Sequence, residues 1–500
     1  MKTSTFFAIF LFGIAALPVW SQSQVWHASV VQTNIFVRGN PFVAQQLNIT
    51  APSAGKVIVR FNGTCLSSPG DRIVLAASNI PDWGVNDGNT NVEAVSSDLN
   101  RNSFSHTRVY DIAAGSHTYY AVVENFVETE GDGTVSVYAS LTVEFYPNSV
   151  GQPVVAYTGI QESDLDLEGA PVAVKQVVLN APTAGKVLVR FDGTCIATPG
   201  DRIVLAASNN PNWTSNDGQV SIEVFDGDIN RRSFSHVRAY DVAAGSHTFY
   251  AVAENYVETD GSGIGSIYGT LTATFFPNNS PVYIQSQGLQ QAALDLDNGI
   301  PVVLAENTLI APAAGRVELH IEGYCLSTPG DRILLAVNNV ADWDVNDGHV
   351  SIEAVDGDLN RSPFSHTRVY DVAAGSHTFY AVAENFVETD GDGTGSVFAS
   401  FTLQYFPNVT SGNTDLLQTL AAQINVYPVP GNGAVFLDCS AWPDRQCSIT
   451  LINSEGKILQ QWQSENLANI PLDITEYPAG TYFLQISGIT GMVTKTLIKN

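Results

Sequence analysis

The stretch Lys56 to Cys65 reads KVIVRFNGTC, and it returns as KVLVRFDGTC from Lys186 to Cys195 and as RVELHIEGYC from Arg316 to Cys325. Within it Val57, Val59 and Phe61 alternate with Lys56, Ile58 and Arg60, the period of two that places successive side chains on opposite faces of a β-strand. Cys65, Cys195 and Cys325 lie 130 and again 130 residues apart, and their neighbours keep that register without a gap. The chain is therefore one unit written three times. Working outward, residues 55–147, 185–277 and 315–407 share about half of their positions in all three copies, which puts the repeats at 22–150, 151–280 and 281–410. The first 25 or so residues of each copy are much less alike, and copying alone does not explain that unevenness.

Inside a copy the strand pattern continues. Pro69-Gly70-Asp71 is a turn, Ile73 to Ala77 is apolar, Asn86-Asp87-Gly88 is a tight turn, and Gly131 to Gly133 is another. Phe104 to Tyr110, His117 to Glu124 and Ser136 to Tyr146 read as strands. Eight or more strands in ~130 residues, with no amphipathic helical segment, predict an antiparallel β-sandwich large enough to bury its own core.

Composition limits what such a protein binds. The 500 residues carry 49 Asp plus Glu against 22 Lys plus Arg, a net charge of −27, which argues against nucleic acid and anionic membranes as partners. Lys2, the apolar run Phe6 to Leu17, and small or modest side chains at Val19 and Ser21 read as a secretory signal peptide over residues 1–21. No later apolar run reaches the ~18 residues of a transmembrane helix.

After a polar linker at 411–423, residues 424–500 form a separate unit: Ile424 to Asp438, Cys447 to Trp462, Ile470 to Ser487 and Gly491 to Asn500 alternate between turn residues as a compact, immunoglobulin-like β-sandwich of about seven strands. These segments carry Tyr427-Pro428-x-Pro430-x-x-Gly433, the Asn453-x-x-Gly456-Lys457 turn, the Ala479-Gly480-x-Tyr482 turn and a last strand with Lys495 and Lys499. They resemble the type A sorting domain of the type IX secretion system of Bacteroidota, departing from it at Val429, where the family usually has Asn. The resemblance implies recognition by an outer-membrane translocon, then cleavage by a sortase-like protease that joins the cargo to surface polysaccharide. The repeats are similar in cadence to the jelly rolls of the complement-subcomponent and tumour-necrosis-factor superfamily. The likeness lies in the Val109-Tyr110-x-x-Ala113-Ala114-Gly115-Ser116-His117 hairpin and the closing strand Ser136 to Phe145. It implies either a pseudo-threefold head or, equally allowed by the short connections, beads on a string.

Several residue sets invite chemistry. One cysteine per repeat cannot pair within it, so Cys65, Cys195 and Cys325 are expected as buried apolar residues. Cys439 and Cys447, either side of a Pro-Asp turn in an exported hairpin, are expected to form a disulfide. His106, Asp111 and His117, with copies His236, Asp241, His247 and His366, Asp371, His377, would be the site of a hydrolase, but no third metal ligand and no HExxH or G-x-S-x-G accompanies them. Glu124, Glu254 and Glu384 offer carboxylates without a readable partner acid. Calcium is the inorganic candidate, at Asp226, Asp228, Asn230 and at Asp356, Asp358, Asn360. Neither set has the glycine and glutamate that complete the loop, and the first copy has Ser96 in place of the first Asp. Solvated turns are the simpler reading there and at Asp390-Gly391-Asp392-Gly393. Trp83, Trp213 and Trp343 stand beside a tight turn in each copy, placed to stack on a sugar face or to plug the end of the sandwich. Asp71, Arg72, Arg101 and Arg108 are expected to pair within one repeat.

The expected fold is all-β: three tandem antiparallel β-sandwich, jelly-roll-like repeats followed by a small sandwich. The expected function is non-enzymatic binding or adhesion to a glycan or protein at the outer cell surface, since repetition supplies multivalency. The alternatives are a secreted carbohydrate-active or metal-dependent hydrolase and a structural surface or matrix protein.

Overall fold

The computed structural model describes residues 22–500 apart from 85–87, 95–99, 129–130, 214–217, 225–230, 259–260, 279, 297–299, 344–347, 355–360, 389–390, 409–422, 430–432, 441, 443–446, 454–456, 465–466, 489–490 and 500. The leader at 1–21, most of the 411–423 linker, Pro430, Gly456 and both calcium-loop candidates (Asp226, Asp228, Asn230; Asp356, Asp358, Asn360) lie outside the described residues.

The first repeat contains β1 (Gln24–Phe36), β2 (Phe42–Ala51), β3 (Gly55–Ser67), β4 (Asp71–Ser78), β5 (Thr90–Glu93), β6 (Arg101–Ile112), β7 (Gly115–Glu128) and β8 (Thr134–Pro147). Strand β1 pairs with β8, β2 with β7, β3 with β6 and β4 with β5, all antiparallel. That is a single long hairpin, rolled up until β3 also meets β8 and β4 also meets β7. The result is two four-stranded sheets, β1-β8-β3-β6 and β2-β7-β4-β5, the double-sheet order of a jelly roll. The same order recurs in the second and third repeats. Strands β6 and β7, expected as a hairpin, are consecutive but lie in opposite sheets, so Ala113 and Ala114 turn a corner between layers rather than closing a ladder.

Each repeat has its own core. In the first, Val57, Val59 and Phe61 from β3 meet Leu75, Phe104, Tyr119 and Leu141, with Phe61 and Phe104 edge to face at 4.8 Å. Cys65, Cys195 and Cys325 are buried in these cores, as expected, and burial pushes the Cys325 thiol up to about 12.

Strand β3 is buried on both faces, and its second face explains how the repeats are arranged. Residues up to Asn408 form one compact unit. Asn62 Nδ2 donates to Ser365 Oγ at 2.9 Å and to Thr367 Oγ1 at 2.8 Å, from the first repeat to the third. Thr270 Oγ1 donates to Thr107 O, Ser400 Oγ to Val237 O and Ser140 Oγ to Thr367 O, joining second to first, third to second and first to third. The three sandwiches thus close head to tail into a ring, and the string-of-beads arrangement is excluded for residues 24–408. An apolar cluster drawn from all three repeats includes Ile58, Leu188, Val282 and the aromatic triad Tyr146, Phe276 and Phe406, with centroids 6.1 and 6.2 Å from Tyr146.

The C-terminal unit contains seven strands among its described residues. Asn425–Tyr427, Ala434–Asp438 and Ile470–Asp473 make one sheet; Ile458–Ser464, Cys447–Asn453, Gly480–Gly488 and Gly491–Lys499 make the other. Cys439 and Cys447 lie side by side in its core as thiols that hydrogen-bond each other. They link the end of one sheet to the start of the other, not two strands of a hairpin. Lys499 is buried, and its Nζ donates to Ile474 O at 2.8 Å, to Thr475 O at 2.7 Å and to Tyr477 O. Tyr482 Oη donates to Pro478 O at 2.6 Å, and Asn453 Oδ1 accepts from Lys457 N at 2.8 Å, so the tyrosine, asparagine and terminal lysine of the sorting motif all fix turns.

Candidate functional site

The Asp-Arg pair that opens β4 sends its two side chains to opposite faces. Asp71 turns inward, accepting from Asn125 Nδ2 at 2.6 Å and Gly133 N at 2.9 Å, and so pins the Gly131–Gly133 turn. A Cβ on Gly131 would stand 2.2 Å from the Asp71 carboxyl, which is why glycine is required there. Arg72 turns toward the seam between repeats, donating from Nε to Asn91 Oδ1 at 3.2 Å; Arg202 and Arg332 do the same to Ser221 and Ser351, each at 3.0 Å.

The expectation that Arg101 pairs within its own repeat is corrected. Arg101 reaches Glu353 of the third repeat at 3.0 Å, Arg231 of the second reaches Glu93 of the first at 3.4 Å, and Arg361 of the third reaches Glu223 of the second at 2.5 Å. These pairs follow the ring around, one per seam. At every seam two arginines also stand close enough to repel: burial and then the neighbouring charge lower Arg72 beside Arg231, Arg202 beside Arg361, and Arg332 beside Arg101.

The tryptophans sit at the same seams. Trp83, Trp213 and Trp343 are half-buried, and each indole N–H donates to a carboxylate on the strand below, Glu124, Glu254 (2.6 Å) and Glu384. Trp213 lies 6.3 Å from the ring of Tyr256, over which Arg202 stands at 4.8 Å; Trp343 lies 5.6 Å from Phe386, over which Arg332 stands at 4.8 Å. Tyr256 and Phe386 are themselves about half exposed, at 53% and 49%. In the second and third repeats tryptophan, second aromatic and arginine thus form a continuous shelf that leads toward the seam.

The histidines serve another purpose. His106, His236 and His366 are buried, and Nδ1 of each accepts from a backbone N–H of the facing sheet, at Ala77 (2.8 Å), Ala207 (2.9 Å) and Val337 (3.1 Å). Burial, then the adjacent arginine, lowers His106 and His236 to about 3, so they are neutral acceptors that tie the two layers. His117, His247 and His377 are far less buried and donate from Nε2 to Ala113 O, Ala243 O and Ala373 O at 2.8–2.9 Å. The corner between β6 and β7 does not bring the two kinds together. Asp132 and Asp392 cap their acidic turns, accepting from Ser68 and Thr328 hydroxyls at 2.8 and 2.6 Å.

Two further places stand out. On the ring axis the copies place different residues at one position, Arg60, Arg190 and His320. The Arg60 guanidinium faces Glu144 and Glu318 and donates to His320 Nε2 at 2.9 Å, leaving His320 Nδ1–H to donate to Thr367 at 2.8 Å. Glu144, Glu318 and His320 are the one cluster among the described residues with metal-ligand geometry, and the cation already there is Arg60. Arg190 meets Glu322 at 3.0 Å; burial opposes the carboxylate, but Arg190, His320 and Arg60 together outweigh it and hold Glu322 below its usual range, whereas burial lifts Glu144 and Asp192 to about 6.

The second place is a cleft of about 720 Å³ between the first and second repeats. Arg72, Arg108, Lys175 and Arg231 line it together with Tyr157 and Tyr268. Of these, sequence reading singles out only Arg72 and Arg108. The signal for Tyr157 and Lys175 is the poor agreement of the first 25 residues of each copy: Tyr157, His27 and Ser286 occupy one position of the outermost strand, and Lys175, Gln45 and Ala305 another.

The fold and its terminal unit define an exported all-β protein. Residues 425–500 match the family described as "Secretion system C-terminal sorting domain", so the chain carries the type IX secretion address and is destined for the outer cell surface or for secretion, where it engages that machinery. No helix among the described residues is long and apolar enough to cross a membrane. No curated protein matches the chain. Among solved structures it is similar to PNGF-II (9% identity, 71% of this chain and all of that one, TM-score 0.23). It is also similar to the STIV MCP (11% identity, 50% and 96%, TM-score 0.17). A third likeness is to Faecalibacterium prausnitzii β-glucuronidase (10% identity, 44% and 46%, TM-score 0.14). At these TM-scores nothing about function follows from them.

Proposed function

We propose that the protein is a non-enzymatic, surface-attached binding or adhesion protein whose three repeats present a ring of equivalent ligand-binding seams. The observation that carries this reading is the shelf of tryptophan, second aromatic and arginine, which the second and third repeats both display, with Trp83 held by Glu124 in the same way in the first. The indole N–H is already satisfied by a glutamate, so what each tryptophan offers a ligand is its ring face, the part that stacks on a sugar. Three seams held in one rigid head raise the effective concentration for the second and third contacts, so weak single contacts sum to firm attachment. The buried, backbone-bound histidines favour this reading over hydrolysis at the β6–β7 corner.

In this reading a leader over residues 1–21 starts export, the sorting domain completes it, and sortase-like cleavage joins the head to surface polysaccharide. Cys439 and Cys447 close to a disulfide outside the cell, which a gain of two hydrogens on reduction, measured by mass spectrometry, would reveal. The test of the function itself is a glycan array probed with the secreted protein. Binding that vanishes when Trp83, Trp213 and Trp343 are all changed to Ala supports the reading. An array with no signal overturns it, as does hydrolysis of any arrayed glycan.

A further inference from the structure

The ring axis holds more acid than base. Around Arg60 stand Glu144 of the first repeat and Glu318 of the third, and around Arg190 stand Asp192 of the second and Glu322 of the third. None of these six side chains is more than 2% exposed. Each arginine therefore faces two carboxyl groups, and with all four ionised the axis would carry two uncompensated negative charges out of reach of water. His320 does not make up the difference. Its Nε2 accepts from Arg60 and its Nδ1–H donates to Thr367, so a second ring proton would point at a guanidinium, and burial and both arginines hold it well below its usual value. Tyr146 is a neutral donor to Glu144.

The hydrogen bonds show on which atoms the imbalance falls. Glu144 is fully engaged, Oε1 accepting from Arg60 Nη2 and Oε2 from Tyr146 Oη. Glu318 Oε1 accepts from Arg60 Nη1 at 3.4 Å, but its Oε2 has no partner among the described residues. The second group repeats the pattern: Glu322 Oε2 accepts from Arg190 Nε at 3.2 Å and its Oε1 lies 3.0 Å from Nη2, Asp192 Oδ1 accepts from Ser235 Oγ, and Asp192 Oδ2 has no partner among the described residues. The hydroxyls beside these two oxygens, Thr142 and Thr107, pull the carboxyls down less than burial pushes them up, and neither makes a hydrogen bond of normal geometry. One proton on each idle oxygen removes a surplus charge and turns a buried acceptor without a donor into a donor. An oxygen of Glu144 lies within 4.8 Å of one of Glu318, near enough to share it.

We propose that the axis is a binding site for two protons, one held between Glu144 and Glu318 and the other by the Asp192–Glu322 pair. Both pairs join the third repeat to a neighbour, so the protons belong to the closed ring and not to any one sandwich, and the head holds together most firmly in mildly acid surroundings. Burial raises Glu144 and Asp192 to about 6 and raises Glu318 as well, each pair titrating as a unit. The stability gained is therefore complete below the ordinary carboxylate range and is lost as the pH rises through about 6.

Denaturant titrations of residues 22–500 between pH 4.5 and 7.5 test this with Glu318→Gln and Asp192→Asn, amides that copy the protonated acid in shape and donor but cannot ionise. The ratio of each variant's folding constant to that of the native chain rises with pH, by up to about tenfold per unit, and levels off above 6. An ionised carboxylate paired with its arginine would give the opposite sign, a ratio that falls as the pH rises, and that result in both variants overturns the proposal. Infrared absorption of the native chain at pH 5.5, where exposed carboxyls are ionised, needs no variant: two protonated buried carboxyls give a carbonyl band, and each amide substitution halves it. A native spectrum without that band also overturns the proposal.

Discussion

At the scale of single residues the protein hides its charges, and pH exposes the arrangement. A buried neutral imidazole lowered to about 3, as in His236, leaves the unfolded chain to take up protons first once the pH drops below 6.5. The stability that residue contributes is complete above 6.5 and declines toward 3, by about 1.4 kcal/mol per pH unit. Glu144 works the other way. Its carboxyl, raised to about 6 mainly by burial, favours the folded state most below the ordinary glutamate range, and about 2 kcal/mol is lost as the pH rises through 6. Denaturant titrations at pH 4.5, 5.5 and 6.5 therefore separate the two. His236→Gln, which keeps an acceptor for Ala207 N, flattens the fall on the acid side, and Glu144→Gln flattens the loss toward neutrality. Identical slopes in both variants would show that neither group is held as described. None of this was readable beforehand: His236 is legible as a recurring histidine, but its partner is a backbone amide of the opposite sheet, set by the fold and not by spacing.

Among the elements, β3 and its copies explain how much of the fold was legible. Their inner face, Val57, Val59 and Phe61, alternates with period two, and so the sandwich could be read. Their outer face is Ile58, Arg60, Asn62 and Thr64, which reads as a solvated surface and is in fact buried against the next repeat. Polar residues that pair with one another look the same in a sequence whether water or a neighbour satisfies them, so the ring and its seams stayed hidden. Close approach to the adjacent strand was equally silent. A Cβ on Gly193 would stand 2.1 Å from Tyr268 O, so Gly193→Ala forces the strand Gly185–Ala197 away from Ile264–Pro277 and should cost about 1–3 kcal/mol, read as a lower denaturant midpoint with unchanged slope. In the terminal unit the last strand depends on Lys499. Lys499→Met removes the buried ammonium that gathers the carbonyls of Ile474, Thr475 and Tyr477, about 1–3 kcal/mol of the small domain's stability, and should retain protein inside the outer membrane, as fractionation would show. Normal surface display of that variant would mean that the clamp is not part of the address.

For the whole molecule the decisive property is whether the head melts as one body. Three autonomous sandwiches would each unfold alone, and that is what 130-residue repeats with their own cores suggest. The seams argue otherwise. Arg101, Arg231 and Arg361 each close on a neighbour's glutamate, the axis cluster draws apolar side chains from all three repeats, and a closed ring has no terminal repeat that can peel away while leaving the rest covered. Unfolding one sandwich would uncover Arg60 and Arg190 or their acidic partners, a buried ion pair whose breaking costs about 3–5 kcal/mol. Scanning calorimetry of the uncleaved chain, residues 22–500, should then show one large transition for the ring, with an enthalpy of about 270 kcal/mol at ~0.7 kcal/mol per residue, beside a small one for the sorting domain. The van't Hoff enthalpy of the large transition should equal its calorimetric enthalpy. A van't Hoff value near a third of that would mean that the repeats unfold independently, and the three seams could then open one at a time. Changing Arg101, Arg231 and Arg361 together to Met should move the protein toward that limit, because Glu353, Glu93 and Glu223 would each lose the guanidinium that fastens one sandwich to the next.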